Sequence, residues 1–139
     1  MTLQTCAQPV LFEHFEPGSL MGEHSETYTP NQARRWQAIF GNTAAAGADG
    51  PAEQASMAVV MMMRAYLKVV APRPPGNIHA RQKLELHGMP RPGETVRTAV
   101  HCVAKSMRRE RRYLELRVEG NGDNGRPIFA GDLTLIWAA

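Results

Sequence analysis

Hydrophobic and polar residues alternate with period two in four stretches of the second half of the chain. In IHARQKLELH, Ile78, Ala80, Leu84 and Leu86 share one face, and His79, Arg81, Lys83, Glu85 and His87 share the other. In TVRTAVHCVA, Val96, Thr98, Val100, Cys102 and Ala104 alternate with Arg97, Ala99, His101 and Val103; in RYLELRVEG, Leu114, Leu116 and Val118 alternate with Tyr113, Glu115, Arg117 and Glu119. The last stretch, IFAGDLTLIWA, is apolar on nearly both faces. Turn-forming segments MPRPGE, KSMRRERR and GNGDNGR separate the four, which predicts hairpins and an antiparallel sheet. A further strand is expected at LMGEHSETYT, after the turn signal EPGS.

Two segments change to helical spacing. Thr29 is placed to cap the first, Pro30 fits its first position, and Gln32 stands in capping-box spacing to Thr29. Ala33, Trp36, Ile39 and Phe40 then form an apolar stripe with Arg34 and Arg35 outside it, and Gly41 is a natural stop. The second helix is predicted from Pro51 to Ala71, before Pro72, with Glu53 in its first turn. Its segment ASMAVVMMM is apolar on every side, which suits a helix enclosed by other structure rather than one lying on a surface. The expected architecture is α+β: a curved antiparallel sheet of about five strands wrapped round one long apolar central helix, the hotdog fold.

Composition narrows the function classes. At 139 residues the chain is one domain, 1–139, and 43% hydrophobic against 21% charged residues describes a globular protein rather than a disordered one. Sixteen Lys plus Arg against thirteen acids leave only +3, with no aromatic residues interleaved through the arginines, so nucleic acid is not an expected partner. The apolar run 55–71 is broken by Arg64 and Lys68 and is too short to span a membrane; with no secretory signal visible, a cytoplasmic location is expected. Neither Cys6 and Cys102 nor the five histidines show metal-ligand spacing, so no metal and no cofactor are expected.

Three stretches resemble the MaoC-like hydratases and dehydratases of the hotdog superfamily: FEPGSLMGEHSETYTPNQARRWQAIFG, MPRPGETV and NGDNGRPIFAGDLTLIW. The resemblance implies acyl thioesters of coenzyme A or of acyl carrier protein as substrates, and reversible addition of water across a 2,3 double bond. It also implies a homodimer, or pairing with another hotdog subunit, with active sites near the subunit boundary. In that family an Asp and a His within G-D-x-N-P-x-H move the protons, and a backbone N–H at the start of the central helix polarises the thioester carbonyl. Laid on this chain, the glycine falls on Gly41, the aspartate on Asn42 and the histidine on Gly47. An amide is no carboxylate base and glycine has no side chain, so the expected acid–base pair is missing. Where the family has a His-Gly-Met-like helix start, this chain has Ala55, Ser56 and Met57.

Each candidate carries two readings. Asn42 is either a turn residue or an amide that orients water or a carbonyl; Asp49 is either a helix cap or the surviving acid, including the water-activating carboxylate of a thioesterase. His24, between Glu23 and Glu26, is either a strand residue or a substitute catalytic group. Ser56 offers a backbone N–H to a carbonyl if the central helix starts later than Pro51, and Met57 and Met61 are core filler or a pliable acyl-chain wall. Arg108, Arg109, Arg111 and Arg112 form either a solvated turn or a substrate contact: a phosphate clamp for coenzyme A or a docking patch for an acidic carrier protein. Three functions remain open: thioester binding with the hydratase pair lost, thioester hydrolysis through Asp49, and a non-catalytic subunit of an active hotdog partner.

Overall fold

The computed structural model describes residues 8–40 and 51–139, and for 51–54 the backbone only. Its elements follow the hydrophobic pattern: β1 (Leu20–Thr27), α1 (Pro30–Phe40), α2 (Pro51–Val69), β2 (Ile78–Leu86), β3 (Thr95–Arg108), β4 (Arg111–Asn121) and β5 (Pro127–Trp137). The five strands form one antiparallel sheet in the order β1-β3-β4-β5-β2. Thr29 and Gln32 close the expected capping box, with the Thr29 N–H donating to Gln32 Oε1 at 2.9 Å and the Gln32 N–H to Thr29 Oγ1 at 3.3 Å.

Pairing departs from the sequence expectation at β2. The segment MPRPGE does not make a hairpin: β2 pairs with β5, while β3 lies between β1 and β4. The physical reason is in β5, the most buried strand, whose inward residues are buried throughout and whose outward Asp132, Thr134 and Ile136 are half-buried, as suits an interior strand with a neighbour on each side. Strand β2 becomes an edge, exposed along nearly its whole length.

Two bulges revise the predicted faces. The register of β2 shifts between His79 and Arg81, so Ile78 lies on the outer face with Arg81, Lys83 and Glu85, and His79 on the inner face with Gln82, Leu84 and Leu86. Likewise β3 shifts between Cys102 and Ala104; Val96, Thr98, Val100 and Cys102 are buried inward as expected, whereas Ala104 opposes the outward Glu115. A one-residue insertion reverses side-chain parity, and alternation alone does not reveal where it falls.

Helix α2 crosses the inner face of the sheet. A Cβ on Gly131 of β5 would meet Met62 Sδ at 2.5 Å, and one on Gly22 of β1 would meet Val69 at 3.0 Å, so the chain runs from the β5 side toward β1. Met57, Ala58, Met61, Met62, Ala65 and Tyr66 are buried against the sheet, while Arg64, Leu67 and Lys68 are exposed. The helix is therefore seated with one side open rather than apolar and enclosed all round. Opposite it, Leu114, Leu116, Val118, Leu133 and Leu135 complete the core, each contributing about 1.5–3 kcal/mol by leaving water. Trp137 closes the far end of the sheet: its ring meets Phe15 edge-on at 5.0 Å, and Nε1 donates to Val10 O at 2.8 Å.

A buried ion pair ties the crossing connection to the β4–β5 turn. Glu94, 4% exposed, accepts from the backbone N–H of Arg91 at 3.0 Å and of Asp123 at 3.1 Å, and from Arg126 through both Nε and an Nη atom. A Cβ at Gly122 would lie 2.3 Å from Glu94 Oε2, so only glycine lets the turn close on the carboxylate. Burial pushes the Glu94 carboxyl up, but the Arg126 hydrogen bond, the two backbone donors and the guanidinium charge outweigh it and hold it below the usual carboxylate range.

Candidate functional site

Helix α1 leaves the sheet at the end of β1 and runs beside α2. Of its predicted stripe only Ala33 is buried; Trp36 is half-buried, Ile39 is 75% exposed and Phe40 64%. Trp36, Ile39 and Phe40 instead wall a groove whose other side is Met57 and Val60 of α2, with a volume of about 380 Å³. Gln32, Arg35 and Arg64 supply its polar rim. Apolar walls with a few convergent polar groups are the usual make-up of a small-molecule site.

The rim leads to a carboxylate. Glu26 faces inward from β1, opposite Val96, and its Oε1 accepts from Gln32 Nε2 at 3.2 Å and from Arg64 Nη1. Its second oxygen, Oε2, is buried and has no partner among the described residues, and the indole N–H of Trp36 is in the same condition. An unpaired buried group of this kind costs about 1–3 kcal/mol. Two residues before Glu26, half-buried His24 points to the same inner face, opposite Thr98, which is 2% exposed. The inner face of β1 thus carries an imidazole and a carboxylate at i and i+2, beside the α1–α2 groove. Glu26, Gln32 and Arg64 were not among the sequence candidates; their signals were the shared parity of Glu26 with His24 and an arginine interrupting an otherwise apolar helix.

Other candidates are distributed differently. Met57 borders the groove, whereas Met61 is a core residue. Since α2 begins at Pro51, half-buried Ser56 stands in its second turn, beyond the first four positions whose N–H groups lack an intrahelical acceptor, and the carbonyl-polarising role conditional on a later start does not apply. Asn42, Gly47 and Asp49 lie outside the described residues. The arginine run sits at the β3–β4 hairpin, away from the groove, and the strand period divides it: Arg108 and Arg111 oppose one another on the outer face, while Arg112 pairs with Met107 on the inner one. Among the described residues there is no group of His, Cys, Asp and Glu that could hold a metal ion, and no helix long and apolar enough to cross a membrane. Burial raises the Tyr66 hydroxyl, opposed by Arg73, and raises the Cys102 thiol, so neither is prepared as a nucleophile.

No protein-family model and no curated protein sequence matches the chain. Solved structures do. A MaoC-like dehydratase from Rhodospirillum rubrum superposes with a TM-score of 0.74 at 13% identity, over 94% of this chain and 98% of that one. The (R)-hydratase PhaJ1 from Pseudomonas aeruginosa, in its unliganded form, gives 0.72 at 14% identity over 93% and 86%. A mutant of the fluoroacetyl-CoA-specific thioesterase FlK, in complex with fluoroacetate and CoA, gives 0.64 at 19% identity over 88% and 94%. Strand order, the helix across the inner face and these likenesses agree: the chain has the hotdog fold, in the form shared by MaoC-like dehydratases and hotdog thioesterases.

Proposed function

We propose that the chain binds acyl thioesters of coenzyme A or of an acyl carrier protein, with the acyl portion in the α1–α2 groove against Met57, and that it does not hydrate them through the family's Asp/His pair. The observation that carries the reading is the groove itself, apolar along both walls and rimmed by polar groups, in a fold whose solved neighbours include hydratases and a CoA thioesterase. Hydration needs one group to take a proton from water and another to deliver one to the α-carbon. Asn42 and Gly47 stand where that pair is expected. In the test, butyryl-coenzyme A is titrated into the purified protein, and crotonyl-coenzyme A is supplied to the same preparation with and without the paired changes Asn42→Asp and Gly47→His. Saturable binding without turnover by the unaltered chain is the expected result; turnover by the unaltered chain sinks the lost-pair reading.

A second reading is thioester hydrolysis with Asp49 activating water, supported by the likeness to FlK at 19% identity. It predicts release of free thiol from acyl-coenzymes A, abolished by Asp49→Asn. For assembly we infer a homodimer, or pairing with another hotdog subunit, through the free β2 edge, where Ile78 and Leu86 are exposed. As a non-catalytic subunit the chain would show no turnover alone and would be retained by an active partner. A cytoplasmic setting is part of the same proposal, since coenzyme A and carrier-protein thioesters are its substrates.

A further inference from the structure

We propose that the outer face of the β3–β4 hairpin tip is a second binding site, for small anions bearing adjacent phosphate groups, formed by Arg108, Arg109 and Arg111. The RRERR run holds four arginines and one glutamate, a formal +3, which equals the net charge of the whole chain. Positive charge is therefore concentrated at one end of the sheet while the remainder is balanced. Strand parity sorts the run. Arg112 faces inward and donates to Ala138 O at 3.2 Å, anchoring the hairpin, whereas Arg108 and Arg111 face outward as a register pair. With Arg109 and Tyr113 they line a hollow of about 460 Å³.

Three features make this a prepared site. The Arg108 guanidinium lies over the Tyr113 ring, 5.3 Å from its centroid, which limits its freedom before any ligand arrives. No carboxylate pairs with Arg108, Arg109 or Arg111 among the described residues, whereas Arg64, Arg97 and Arg126 each have one and Arg117 has two. The two turn residues, Arg109 (φ 48°) and Glu110 (φ 65°), are both in the left-handed region, where such a turn ordinarily carries Asn or Gly. The chain keeps an arginine in a strained conformation that glycine would adopt freely, and the consequence is a third arginine lining the same hollow.

Guanidinium forks pair with phosphate oxygens two at a time, so three of them suit a diphosphate or two neighbouring phosphates better than a single carboxylate. A hollow suits a small anion better than the surface of an acidic protein. The site is separate from the groove: α2 crosses the sheet at the level of Gly131, opposite Val118, and Arg111 lies seven residues from Val118, about 23 Å along β4, with its side chain on the other face. It does not depend on the thioester reading.

Calorimetric titration of the full chain with inorganic pyrophosphate and with adenosine 3′,5′-bisphosphate, at low and at high salt, tests it. Binding of at least one anion is expected, weakened by salt, and reduced about tenfold in the double variant Arg109→Gln/Arg111→Gln, whose thermal melt stays with the parent because both side chains are exposed. Tighter binding of the nucleotide assigns the phosphates to a nucleotide carrier; equal or tighter binding of pyrophosphate assigns them to a free phosphate. Should the glutamine pair fail to fold, Arg109→Lys/Arg111→Lys, which keeps charge and loses the forks, should still bind more weakly than the parent, by a smaller factor. The inference is overturned if neither anion binds at low salt, or if affinity is unchanged in the folded variant.

Discussion

Two glutamate–arginine pairs in this molecule have opposite characters. Both oxygens of Glu94 are occupied, by Arg126 and by the backbone N–H groups of Arg91 and Asp123, and the side chain is 4% exposed. Glu26 spends one oxygen on both Gln32 and Arg64 and leaves the other buried without a partner among the described residues, while its Arg64 is half exposed. The first pair joins two connections of the chain and is complete without a ligand; the second stands beside a groove and is not. A satisfied buried charge holds structure together, and an unsatisfied one marks where further chemistry is possible.

The difference predicts a graded set of outcomes. Glu94→Ala should be the most damaging, by about 3 kcal/mol in urea unfolding, because it strands Arg126 and two backbone donors at once; a loss below about 1 kcal/mol would show that the clasp is not structural. Acid should act through the same group. A depressed carboxylate stabilises the fold above its ordinary value of 4.5 and loses that contribution as pH falls through the lower folded value, so the parent's melting temperature should decline below about pH 4.5. In Glu94→Gln that part of the decline should be missing.

Glu26→Gln should cost less than about 1 kcal/mol, since its arginine partner is solvated, yet it should change butyryl-coenzyme A affinity several-fold. Equal affinity in parent and variant would reduce Glu26 to a surface pair and erase the contrast. The smallest effect on stability is expected for Trp36→Phe, about 0.5 kcal/mol in either direction, because lost ring area is offset by removal of an unpaired buried N–H. A large destabilisation there would mean that the groove is core rather than site.

Legibility in the sequence followed the range of the interactions. The alternation in residues 78–87 and 95–104 located two strands without ambiguity, and Thr29 with Gln32 announced the first helix. For α1, Ala33, Trp36, Ile39 and Phe40 were correctly read as one stripe, but Ile39 and Phe40 are largely exposed: periodicity says which residues share a face, not what covers it. Beside the groove, His24 is a candidate legible from its acidic neighbours, whereas Glu26 gains meaning only when Arg64, 38 residues away, is folded against it.

By itself, the sequence determined the number and kind of the elements and the inward residues of β3 up to Cys102 and of β4, because these are written in local spacing and residue chemistry. The tertiary structure alone decided that β2 lies beside β5, that bulges turn Ile78 outward and His79 inward, that the RRERR run is divided between two faces, and that Glu94 is satisfied while Glu26 is not. Each of these depends on pairing between residues far apart in the chain, where a shift of one residue reverses a face and local pattern carries no record of the partner.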